Sequence, residues 1–145
     1  MLFFRSAARP DRVHSVFEKV ERELVTLCLS PDVLAEIRDV LTRPKLQAKY
    51  PALTAQAVDA FLTQHLRVAR FFNEVPAHFH LQRDPKDSKY LNLAITAEAP
   101  YVVTLDRDLL DLMLPDNLEG RDFRSRYPAI RILEPDEFEL ALRPR

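Results

Sequence analysis

Residues 83–110, RDPKDSKYLNLAITAEAPYVVTLDRDLL, constrain the fold more than any other stretch of the chain. From Ser88 to Glu98, the residues Tyr90, Leu91, Ala94, Ile95 and Ala97 recur at the 3.6-residue period of one helix face. A short apolar strand, Tyr101 to Leu105, follows and ends directly in acid. Asp87 stands where the helix begins and Asp106 where the strand ends, with Asp84 and Asp108 close by. If the strand lies in a parallel sheet, Asp87 and Asp106 point at the crevice beyond the strand carboxyl ends, where open α/β sheets bind ligands. Carboxylates gathered there repel one another, and a divalent cation is the usual remedy.

The rest of the chain repeats this alternation. Arg12 to Arg22 reads as a helix with Val13, Val16, Phe17 and Val20 on one face. The apolar run Leu24–Leu29 suits a strand covered on both sides. Ser30-Pro31 starts a helix, Ser as N-cap and Pro at the first helical position, and Pro44 ends it. Thr54 caps a long helix expected to run to about Phe72. Val75–Leu81 is ambiguous, with a short strand one option at His78–His80. A short helix at Asp108–Met113, a polar loop at Pro115–Arg126, a strand at Ile130–Leu133 and a helix at Asp136–Leu142 complete the reading. Strands alternating with helices predict an α/β fold with a parallel sheet.

Composition removes several function classes. No apolar run approaches the ~20 residues that span a bilayer, and Met1-Leu-Phe-Phe is too short for a signal-peptide core. A net charge of −1 exerts no global pull on nucleic acid. Gly120 is the sole glycine, so there is no Gly-rich phosphate loop. Cys28 reads as a buried structural thiol in a reducing cytoplasm. No serine has a base spaced to form a triad, and His78 and His80 have no matching ligands for zinc. A phosphoacceptor site would need a lysine placed after the last strands, and none is found there.

Each acid also has a purely structural explanation. Asp87 suits an N-cap, Asp108 suits a cap for Leu109–Met113, and Asp84-Pro85 is a turn initiator that stays outside the site. Glu36 borders an apolar helix face and suits an ion pair with Arg38 or Arg43.

Three segments carry a resemblance: LSPDVLAEIRDVLTRPKLQAKY (29–50), residues 83–112, and IRILEPDEF (130–138). In this order and spacing they resemble the PIN-domain family, the branch of bacterial toxin–antitoxin toxins similar to the PilT N-terminus. The resemblance implies one domain over 1–145, a three-layer fold with a central parallel sheet flanked by helices, and a ribonuclease using Mg²⁺ or Mn²⁺. It implies Glu36, Asp87 and Asp106 as catalytic metal ligands, Asp108 as an auxiliary ligand and Thr104 as the hydroxyl beside the site. The implied partners are an RNA substrate, a cognate antitoxin and a second copy of the chain. Arg43, Lys45 and Lys49 are candidates for phosphate contact, as are Arg121, Arg124 and Arg126 in the late loop, against the simpler reading of a solvated charged surface.

The chain also departs from the family. The family's first ligand is an aspartate on the first strand, and Leu2-Phe3-Phe4 resembles only the tail of that segment. The nearest early acid, Asp11, enters the first helix instead. The expectation is a truncated first strand without its acid, from a start codon placed too far downstream or from a shortened gene. The alternative function is then a catalytically incomplete PIN-like protein that binds an antitoxin without cleaving RNA.

Overall fold

The computed structural model describes residues 10–144, with side chains from Ser15 onward. Leu2-Phe3-Phe4, where the truncated strand is expected, lies outside the described residues. The backbone divides into two compact units that meet in sequence at Asn73 and Glu74. The architecture is mixed α/β, and its described strands form two short parallel pairs.

In the first unit, α1 (Pro10–Glu21) is followed by β1 (Cys28–Leu29), α2 (Pro31–Leu41), α3 (Pro44–Lys49), α4 (Ala55–Val68) and β2 (Arg70–Phe71). The start of α2 is decided locally. Pro31 occupies its first turn and the Ser30 hydroxyl accepts from the Val33 amide at 3.3 Å. Thr54 does the same for α4 through the Ala57 amide, at 3.1 Å. Val16, Phe17 and Val20 of α1 are buried, as are Val58 and Leu62 of α4, the helix it packs against, and Phe17 meets Phe61 edge-on at 5.8 Å. His65 is buried against both rings, with Nδ1 2.8 Å from the Phe61 carbonyl.

Two expectations change here. The strand is Cys28–Leu29 rather than Leu24–Leu29, because the preceding residues are spent ending α1. Glu23 takes the left-handed conformation at φ 56°, and the Leu24 amide donates back to the Lys19 carbonyl. Leu24 is left 62% exposed. The long helix stops at Val68, and Arg70–Phe71 pairs in parallel with Cys28–Leu29. Cys28 is half-buried; that burial pushes its thiol pKa up, partly offset by Arg70.

The second unit contains α5 (Ser88–Ala97), β3 (Tyr101–Val103), α6 (Arg107–Leu110), α7 (Leu118–Arg126), β4 (Arg131–Leu133) and α8 (Pro135–Ala141). Two 3₁₀ turns, Pro85–Asp87 and Asp111–Met113, join them. β3 and β4 run parallel in the register Tyr101↔Arg131, Val102↔Ile132 and Val103↔Leu133. Leu81, Leu91, Leu109, Leu112, Phe123 and Ile132 form the core of this unit, each at most 2% exposed. Fully burying one such side chain stabilises by roughly 1.5–3 kcal/mol. Val75–Leu81 forms no strand, and His78 and His80 are exposed on it.

The polar loop expected at Pro115–Arg126 is largely the helix α7. Asn117 caps it through the Gly120 amide at 2.7 Å, and only Gly120 and Phe123 are buried along it. Gly120 is required for space. A Cβ there would lie against the Leu112 carbonyl, 2.8 Å from its carbon, and 2.6 Å from Arg124 Nη1. Gly→Ala inside a helix normally gains up to about 1 kcal/mol. Here overpacking against backbone outweighs that gain, and Gly120→Ala is expected to destabilise by about 1–3 kcal/mol. Thermal melts followed by circular dichroism will show a lowered midpoint; an unchanged or raised one refutes the packing account.

Candidate metal centre

Among the described residues, the segment leading into the site pairs with no strand, and side chains satisfy four of its amides. The amides of His78 and Phe79 both donate to Asn92 Oδ1, at 2.9 and 2.8 Å. Leu81 donates to Ser88 Oγ at 2.8 Å, and Gln82 donates to the Glu119 carboxylate. The chain is thereby held along α5 and α7 until it reaches Asp84.

Asp84 opens the 3₁₀ turn that precedes α5. Its Oδ1 accepts from the Lys86 amide at 3.2 Å, and its carbonyl accepts from the Asp87 amide at 3.0 Å. Side chains at i and i+3 eclipse in such a turn, so Asp84 and Asp87 face the same way. Asp87 is only 5% exposed, and it makes no capping hydrogen bond to α5. Helix capping therefore does not account for Asp87.

The second arm descends from β3. The Thr104 amide extends the ladder by donating to the Leu133 carbonyl at 2.9 Å. The buried Thr104 hydroxyl accepts from the Asp106 amide at 3.0 Å, and Asp106 Oδ1 accepts from the Asp108 amide at 3.0 Å. Asp106, rather than Asp108, is thus the cap of the following helix. Asp108 is turned onto Arg83, with Oδ1 2.6 Å from Nε. Arg83 Nη1 also donates to Asp111 Oδ2 at 2.7 Å. That hydrogen bond, and the charges of Asp108, Asp111 and Asp106, raise the guanidinium pKa further, so Arg83 stays cationic.

These two arms bring one carboxylate oxygen each from Asp84, Asp87 and Asp106 within 4.8 Å of one another. At that separation two full charges repel by about 3 kcal/mol at an effective dielectric near 20.

Glu36 sits half-buried in the middle of α2, in the first unit. Arg38 and Arg43, suggested as its ion-pair partners, meet Asp59 at 3.5 Å and Asp39 at 3.0 Å. Arg43 and Lys45 are exposed around the start of α3, and Lys49 lies over the Tyr50 ring at 5.5 Å. The late arginines serve the fold. Arg121 donates to the Pro115 carbonyl, Arg124 to those of Leu112 and Leu114, and Arg126 to that of His78.

The PIN domain profile matches residues 1–108, which include Glu36, Asp84, Asp87, Asp106 and Asp108. The chain belongs to the PIN-domain family. No curated protein and no solved structure matches it. PIN domains fall within a nuclease superfamily and generally use divalent metals. Among the described residues the donors suit such an ion: three carboxylates, with no sulfur or imidazole in the group, a hard oxygen set of the kind Mg²⁺ and Mn²⁺ take.

Asp84 is the acid that spacing alone left out. Its turn-forming role is present, and the 3₁₀ geometry also brings its carboxylate to those of Asp87 and Asp106. The Asp-Pro-x-Asp spacing was the available signal, since it puts two acids at i and i+3. Asn caps as well as Asp, so Asp84→Asn in this PIN domain removes one repelling charge and leaves the turn intact. Metal-free Asp84→Asn is expected to be more stable than wild type by about 0.5–1 kcal/mol, while the rise in midpoint produced by Mn²⁺ shrinks. Paired thermal melts with EDTA and with Mn²⁺ measure both; a full Mn²⁺ response in the variant rules Asp84 out as a ligand.

Proposed function

We propose that this PIN domain is a toxin-type ribonuclease that hydrolyses RNA phosphodiester bonds with Mg²⁺ or Mn²⁺. The strongest support is the convergence of Asp84, Asp87 and Asp106 on one small volume in a chain of this family. A bound divalent ion supplies an activated water near neutral pH and neutralises charge on the scissile phosphate. Asp87 and Asp106 hold the ion, with Asp84 as a third carboxylate. Thr104 and the Asp108 amide keep the Asp106 turn in place. Asp108, bound to Arg83, contributes negative charge beside the site.

Glu36 enters the proposal through the resemblance of its LSPDVLAEI segment (29–37) alone. Lys45 and Lys49, with Arg43, are the proposed phosphate contacts, of the sequence-independent and salt-sensitive kind. A cognate antitoxin, a second copy of the chain and a cytoplasmic location complete the proposal.

The test uses the full chain, a labelled structured RNA, and Mg²⁺ or Mn²⁺ against EDTA. Cleavage is expected only with the metal. Asp87→Asn, Asp106→Asn and Glu36→Gln should each lose activity on the order of a hundredfold. Undiminished cleavage by Asp106→Asn sinks the assignment. Metal binding without any cleavage would favour the incomplete, antitoxin-binding alternative.

A further inference from the structure

Arg83 lies beside a proposed cation site, where a fixed positive charge should be a disadvantage. Its guanidinium is about half exposed, yet it holds two carboxylates at once: Asp108 at 2.6 Å through Nε and Asp111 at 2.7 Å through Nη1. Those contacts join the two arms of the acid cluster. On one side, Arg83 directly precedes Asp84, whose turn carries Asp87. On the other, Asp108 donates its amide to Asp106, and Asp111 follows at the end of the same short helix.

A planar fork of fixed donors suits this task, because two carboxylates at set positions determine where the guanidinium sits. Lysine offers a single point charge and cannot reproduce the geometry.

We propose that Arg83 is a positioning residue that clamps the Asp84–Asp87 turn to the Asp106–Asp108 turn, holding the three carboxylates together before any cation arrives. The inference rests on the metal-site reading above and adds a residue to it. The clamp opposes carboxylate repulsion through its geometry, by engaging Asp108 and Asp111 at once. Two simpler roles predict different outcomes. A through-space charge effect means that removing Arg83 tightens binding of a cation. A role limited to global stability lowers the melting point but leaves Mn²⁺ affinity of the folded protein unchanged.

The experiment is Mn²⁺ titration of the full chain by calorimetry, with far-UV circular dichroism on every variant. Arg83→Met is expected to weaken Mn²⁺ binding at least about tenfold, the scale seen when a group supporting metal ligands is lost. Arg83→Lys should recover only part of that loss. In an Asp108→Asn/Asp111→Asn background, Arg83→Met should have little further effect, since the clamp has already lost its partners. Wild-type-like or tighter binding by Arg83→Met or Arg83→Lys overturns the proposal, as does a full Arg83→Met effect in that background. If Arg83→Met does not fold, Arg83→Lys decides alone. Failure of wild type itself to bind Mn²⁺ is a separate result, which removes the metal reading and the clamp with it.

Discussion

The parallel ladder between Tyr101–Val103 and Arg131–Leu133 is the contact on which the second unit depends. It is lengthened at both ends, by the Arg131 amide on the Pro100 carbonyl and the Thr104 amide on the Leu133 carbonyl. α5 packs on one strand of the pair, α6 on the other, and α8 on both. Two strands of three residues have little independent stability in water. The helices supply it by burying Leu91, Leu109, Phe123 and Ile132 in one core. Because the ladder continues to Thr104, the chain leaves the sheet at a set point, and that point determines where Asp106 lies.

The same unit gathers like charges, which is costly unless something compensates. Asp84, Asp87 and Asp106 converge although each pair repels. Around them, ordinary stabilising rules are obeyed closely: buried amides find acceptors on Asn92 and Ser88, and helices are capped by Asp106 and Asn117. Local conflict confined to one small volume within an otherwise consistent structure is the pattern of a functional site. Beside these aspartates, Arg83 is engaged with two other carboxylates, those of Asp108 and Asp111.

Much of this was legible from local signals. Ser30-Pro31 and Thr54 start helices because their side chains satisfy amides only three residues away. The helix read at Ser88–Glu98 and the strand read at Tyr101–Leu105 are present as Ser88–Ala97 and Tyr101–Val103, since both signals are written within one element. What was missed depended on distant partners. Arg70–Phe71 carries no strand pattern and becomes a strand only beside Cys28–Leu29. α7 has one buried aromatic, Phe123, and a glycine that fits only against the Leu112 carbonyl, so its sequence looked like a polar loop. Leu24 looked like a strand residue and is exposed, because closing α1 required Glu23 in a left-handed turn.

By itself, the sequence determined the α/β class, the helix starts at Ser30-Pro31 and Thr54, the resemblance to the family, and Asp87 and Asp106 as candidate ligands. The class and those helix starts follow from capping chemistry and short-range periodicity, which act within a dozen residues, and the family from the likeness of three ordered segments. Tertiary structure alone decided that Asp84 joins them, that Asp106 caps in place of Asp108, and that Asp108 and Asp111 share Arg83. It also committed Arg121, Arg124 and Arg126 to backbone carbonyls of their own chain. The reason is physical: a carboxylate or guanidinium reads the same in sequence whether it meets solvent, an ion or another side chain. Only the distances between turns that are far apart in sequence choose among these.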